Sequence, residues 1–304
     1  IQDGTDLNYN QLDQCIGLGV LSKNQTGAKT RGLHLHSTFV VSTEGLPLGL
    51  LQAQFSAPEP KTKTDTRPQP SIPIEEKKTF AWIEGLRTCV ELDKQLPGTR
   101  QICVMDREAD FFELFDEQRK TGKVDLLVRS KHDRVIDDKA GHLFESVRDS
   151  PICGEMVIQV QRQSSRTKKS KQQAKPGHVQ RSATVAVRYK EIELRPGVYQ
   201  KNKAPIKLTV VHVQETIQPK DDEPVEWFLL TTCDVSSPEQ AQQILRWYCL
   251  RWRIEDWHRV LKSGCNIEKL QHKTAERLKR TLAINLVIAW RIMLLRLLGR
   301  DCPH

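Results

Sequence analysis

No Cys-x-x-Cys pair occurs among the eight cysteines of the sequence. Tetrahedral zinc centres are usually assembled from such close ligand pairs, so a structural zinc site is excluded as the organising element. Several of the thiols fall inside apolar strand-like or helix-like runs and read as buried side chains kept reduced. No segment opens the chain as a secretory signal would. The most apolar run, Leu282 to Leu298, is broken by Arg291 and Arg296. Each of those is costly in lipid, so a packed helix is expected there and a membrane span is not. No internal repeat is found. Acidic residues are outnumbered, 38 against 47 Lys plus Arg for a net charge of +9, a moderate basic excess that favours a polyanionic partner without naming one. An initiator Met is also missing, which leads us to expect a fragment whose first strand is cut short.

What remains is an ordinary globular composition, 38% hydrophobic over 304 residues, enough for one large domain or two smaller ones. Its most informative stretch is Tyr248 to Lys262. Ser236 and Glu239 form a capping-box pattern with Pro238 in the first turn, and neither Gly nor Pro interrupts the run until Gly264, so one long helix is predicted. At about 100° per residue, Tyr248, Arg251, Glu255 and Lys262 fall on one face. A lone carboxylate among a phenol, a guanidinium and an ammonium suits a metal ligand flanked by groups that hold phosphate oxygens. A solvated, charge-paired helix face is the alternative.

Two further blocks carry acids. Asp106 opens Asp-Arg-Glu-Ala-Asp directly after the strand-like Gln101 to Met105, and Asp3 lies in Ile-Gln-Asp-Gly-Thr-Asp. Together with the spacing Tyr-x2-Arg-x3-Glu-x6-Lys, these blocks resemble the DDE transposases of the bacterial insertion-sequence-four type. The resemblance implies an α/β, ribonuclease-H-like catalytic core with an all-β insertion before the last catalytic helix. On that reading residues 1–135 form the first part of the core, 136–232 the insertion and 233–304 the C-terminal helices. It further implies Asp3, Asp106 and Glu255 as catalytic residues holding two Mg²⁺ ions, with Mn²⁺ able to substitute. Tyr248, Arg251 and Lys262 would grip a phosphate, Trp227 would stack against a base drawn from the duplex, a buried core tryptophan being the alternative, and Arg129 would clamp DNA. The implied partners are double-stranded DNA, as transposon ends and target, and a second subunit in the full-length protein; the implied setting is the bacterial cytoplasm, with no membrane.

Carboxylates suit this chemistry because Mg²⁺ prefers oxygen ligands and keeps positions open for water and phosphate. Asp3 is expected at the tail of a strand, followed by a hairpin from Leu33 to Phe55, a helix from Glu75, a strand ending at Met105, a helix over Asp110 to Lys120 and a strand over Val124 to Arg129. Arg162 to Arg181, with seven basic residues and no acid, reads as a phosphate-contacting arm or a solvated loop. His34 and His36 share a strand face, and sheet-packed histidines are favoured over a metal pair. The turn Arg107 to Asp110 has a structural reading as a salt-bridged surface turn. A stand-alone metal-dependent nuclease and a non-catalytic DNA-binding remnant remain alternatives to the transposase.

Overall fold

The computed structural model describes residues 1–23, 29–58, 71–136, 141–161, 180–197, 200–220 and 222–301. The basic arm expected at 162–181 lies outside the described residues except for its last two positions. The chain separates into two compact units, Ile1–Gln69 with Trp252–His304, and Pro70–Arg251. These do not coincide with boundaries at 135 and 232.

The first unit opens with four antiparallel strands, β1 (Gln2–Asn8), β2 (Gly19–Lys23), β3 (Lys29–Val41) and β4 (Pro47–Ser56). β3 is the centre: β1 lies along one edge, from Gln2 opposite Thr38 to Asn8 opposite Gly32, while β2 and β4 share the other edge. The predicted hairpin is β3 and β4, closed by a turn in which Gly45 takes φ +87°. Asp3 is placed differently from expectation. It is the second residue of a strand that runs on to Asn8, not the last residue of one. Asp, Gly and Asn are poor strand formers, but full pairing with β3 and complete burial of Leu7 override that preference.

In the second unit the helix expected from Glu75 is a separate 3-10 turn, Ile74–Glu76, followed by α1 (Phe80–Asp93), and one six-stranded sheet runs in the order β5-β6-β10-β9-β8-β7. β5 (Ile102–Met105) and β6 (Asp125–Arg129) run parallel, joined through α2 (Phe112–Thr121), which stops at Gly122 with φ +61°. Next come α3 (Leu143–Arg148) and the antiparallel strands β7 (Gly154–Val160), β8 (Arg181–Leu194), β9 (Ile206–Glu215) and β10 (Glu226–Thr231). The segment 136–232 is therefore not purely β. Its last strand is hydrogen-bonded to β6, so these strands extend the sheet that carries Asp106.

The long helix predicted from Ser236 is two helices. α4 (Pro238–Cys249) is capped by Ser237, whose hydroxyl accepts from Gln240 N at 3.3 Å, one residue later than the capping box foretold. It ends in a turn at Leu250 and Arg251, and α5 (Trp252–Arg259) follows, belonging to the first unit. α5 then widens into a π-helical turn, Val260–Gly264. The wheel that put Tyr248, Arg251, Glu255 and Lys262 on one face assumed an unbroken 3.6-residue period, which neither the turn nor the π segment keeps.

Within the first unit α5 packs on β1 and α6 (Ala275–Asp301) on β4. Phe39 stacks on Trp257 with ring centroids 5.1 Å apart, and the Trp257 indole N–H donates to Leu286 O at 3.3 Å. Ala275–Arg300 is the one helix, among the described residues, that is long and apolar enough to cross a membrane. The packing expected of it holds on one side only: Leu278, Leu282, Leu286, Ala289 and Met293 are buried, while Ile284, Val287, Ile288, Ile292 and Leu295 are exposed.

Two buried imidazoles make this unit sensitive to acid. Burial, and then the neighbouring His34, lowers His36 from 6.5 to about 3; burial, and then Lys262, does the same to His258. A group with a depressed folded pKa takes up its proton more readily when unfolded. Stability present above pH 6.5 is thus lost as pH falls toward 3. We expect a loss of about 2 kcal/mol per imidazole between pH 7 and pH 5, measured by urea unfolding, and about half of that pH dependence to vanish in His36→Gln.

Candidate active site

Parallel pairing sets Met105 beside Val128, so the next residues, Asp106 and Arg129, stand at the same carboxyl end of adjacent strands. Ligands of α/β sheets gather at such ends. Asp106 caps the short turn Arg107–Ala109, its Oδ1 accepting from Glu108 N at 2.8 Å. The Arg129 guanidinium lies 5.7 Å above the Trp227 ring and is hydrogen-bonded to Tyr248. Burial lowers its pKa, and Arg107 and Arg251 add repulsion that the Tyr248 phenol opposes.

Tyr248, on α4, is the hub. Its phenol takes hydrogen bonds from both Arg129 and Arg251, and its ring meets Trp227 edge-on at 5.3 Å. Burial raises the phenol pKa; the two guanidiniums pull it down and the charge of Asp106 pushes it up. Arg251 is itself buried, at the turn that ends α4. Five of the residues singled out in the sequence, Asp106, Arg129, Trp227, Tyr248 and Arg251, thus form one neighbourhood in the second unit.

The other three belong to the first unit. Asp3 pairs across from Ser37, with its Oδ1 accepting from Gly4 N at 2.8 Å. Strand alternation puts it on the face of Thr5 and Leu7, opposite that of Gln2, Gly4 and Asp6. His34 and His36 share the latter face, where His34 Nδ1 meets Asp6 Oδ1 at 2.7 Å and His36 Nε2 meets Gln2 Oε1 at 3.0 Å. These pairings favour the sheet-packed reading of both histidines. Glu255 lies in the first turn of α5, the helix that packs on β1. Lys262, in the π turn, donates from Nζ to Asp6 O at 2.7 Å.

Among the described residues no group of three or more His, Cys, Asp or Glu side chains is arranged to hold a metal ion. The candidate set nevertheless fits a hard divalent cation in kind, since it is carboxylate throughout and Asp3 turns away from the histidines. Asp110 is salt-bridged, as the structural reading of its turn expected, but it is not at the surface. Its carboxylate is fully buried against Arg134 and the loop after β6. The polar run Ser130 to Arg134, following directly on an apolar strand, was the available signal.

A protein-family model described as Transposase DDE domain matches residues 83–291. The match takes in Asp106, Arg129, Trp227, Tyr248, Arg251, Glu255 and Lys262, and leaves Asp3 outside. Because Trp227 is buried, Trp227→Ala should lower unfolding stability by about 3–5 kcal/mol, read from denaturant titration. A loss below about 1 kcal/mol would instead mark an indole lying on the surface.

Proposed function

The chain belongs to the transposase DDE domain family, and from that membership we propose that it is the catalytic part of a cut-and-paste transposase of the insertion-sequence-four type, similar to the transposase of transposon five. DDE transposases act on DNA and generally use divalent metals. The finer reading assigns Asp3, Asp106 and Glu255 to two Mg²⁺ ions, for which Mn²⁺ can substitute. When bound, such ions supply activation of an oxygen nucleophile and stabilisation of the leaving oxygen.

The observation that carries the proposal is the cluster beside Asp106, in which Arg129 and Arg251 share the Tyr248 phenol with Arg107 close by. Like charges brought together and partly desolvated are unfavourable unless an anion joins them. A phosphodiester, with its non-bridging oxygens, is such an anion, and planar guanidiniums bind it in two-pronged fashion. With its pKa raised, Tyr248 keeps its proton. While its oxygen accepts from the two arginines, its O–H remains a donor to phosphate. Lys262, the last residue of the signature, is assigned to the same grip on the resemblance alone.

Trp227 is buried, so it can stack against a displaced base only if its ring is uncovered, the Arg129 guanidinium being one of the groups that would move. Arg129 would then pass from the indole to the DNA backbone as the base arrives. Residues 136–232 are read as an insertion that lengthens the sheet beyond β6. In the full-length protein two subunits would bridge two DNA ends. A nick at the transposon end would free a 3′ hydroxyl that attacks the opposite strand to form a hairpin; water would then reopen the hairpin, regenerating the 3′ hydroxyl for transfer to target DNA.

Asp3→Asn, Asp106→Asn or Glu255→Gln should abolish Mg²⁺-dependent nicking of duplex DNA and leave duplex binding within about threefold, since none of the three contributes a phosphate-binding cation. Retained nicking in a purified variant removes that residue from the catalytic set. Duplex affinity should also fall steeply between about 50 and 200 mM salt as counterions are released; an affinity flat over that range would rule out the phosphate grip.

A further inference from the structure

Asp110 closes the Asp106–Asp110 run and, unlike exposed Arg107 and Glu108, has a carboxylate with no exposed surface. Its two oxygens have different partners. Oδ2 accepts from Lys131 N at 2.6 Å and from His132 N at 3.1 Å, with Ser130 Oγ at 3.2 Å. Oδ1 accepts from Arg134 Nη1, whose other terminal nitrogen, Nη2, donates to Asp110 O at 2.9 Å. The loop held in this way begins at the residue after Arg129. Sheet pairing ends there too: Leu229 stands opposite Arg129, and Ser130 N makes a last bond to Phe228 O at 2.7 Å. The carboxylate therefore takes over from the sheet just where the sheet stops guiding the chain.

We propose that Asp110 is a positioning residue for the phosphate grip, tying the turn that follows Asp106 to the loop that follows Arg129. The inference rests on reading the Tyr248 cluster as the phosphate site. Two main-chain N–H groups converging on one charged oxygen fix the loop backbone, because any other conformation leaves those donors and the Arg134 charge poorly satisfied. On the other side, Asp106 Oδ1 caps Glu108 N and Ala109 N bonds Asp106 O at 3.1 Å, so only a three-residue turn separates the two aspartates. Slack in the 130–134 loop reaches the Arg129 guanidinium and, through that turn, Asp106. Misplacement of about 1 Å at such groups costs on the order of 100-fold in turnover.

The roles of the two oxygens define the experiment. Nicking of supercoiled plasmid DNA in Mg²⁺ is followed over a range of DNA concentrations, well below each variant's melting temperature, in wild type, Asp110→Ala, Asp110→Asn, Arg134→Gln and the double variant D110N/R134Q. Arg134→Gln keeps the Oδ2 anchors and should turn over within about threefold of wild type. Asp110→Asn sets an amide N–H against Arg134 or against the loop N–H groups. Its kcat should fall by roughly 10- to 100-fold, with KM changing far less. The double variant, in which two amides can pair while the oxygen serves the loop, should regain most of that loss. Asp110→Ala should be at least as slow as Asp110→Asn; if it does not fold, the other three variants decide. Wild-type kcat in folded Asp110→Asn or Asp110→Ala overturns the proposal, as does a double variant no faster than Asp110→Asn. Asp106→Asn is the control: if it still nicks, the active-site reading itself is lost, whereas an inactive Asp106→Asn beside a fully active Asp110→Ala removes only the positioning role.

Discussion

Parallel pairing of β5 with β6 is the constraint from which the second unit takes its form. Two strands can run the same way only if the chain crosses back between them, and α2 provides that crossing. Their ends then lie side by side, which is how an acid at 106 and a guanidinium at 129 come to share a neighbourhood. Every later strand of the sheet is antiparallel to its neighbour. β10 continues from β6 and delivers Trp227 to Arg129, and α4 brings Tyr248 up to both.

Burial sets the electrostatics of that neighbourhood. Arg129 loses hydration and feels two more guanidiniums, with only a phenol oxygen and an aromatic face in return. Cation–π contact contributes about 0.5–2 kcal/mol, which does not offset the burial of a charge. On the reading proposed above, a phosphate oxygen would supply a counter-charge there. Asp110 shows the opposite arrangement, a buried charge whose hydrogen-bonding capacity is filled from within the chain.

Periodicity made much of this legible. The β3–β4 hairpin, α1, α2, β5, β6 and α6 follow from alternating or helical apolar spacing, and the Asp106 block follows from a strand ending in an acid. Three things were not legible. The continuation of the strand beyond Asp3 to Asn8 is built of residues with poor strand preference and is held by pairing with β3. The break at Leu250 and Arg251 has no Gly or Pro to mark it, and both residues are ordinary helix formers. The burial of Asp110 depends on partners 20 to 24 residues away, a distance at which no local pattern speaks.

The π turn at Val260–Gly264 bears on how a linear signature is read. A turn of this kind holds an additional residue relative to the α-helix around it. The six positions between Glu255 and Lys262 therefore describe a bent path and not a straight ladder, and the ammonium that closes the signature meets the backbone of β1 at Asp6. Removing a single residue from that turn would let the helix regularise, swing everything beyond it by about a quarter of a revolution, and part Lys262 from β1. Fixed spacing in such a motif can thus record a local irregularity as faithfully as it records a shared chemistry.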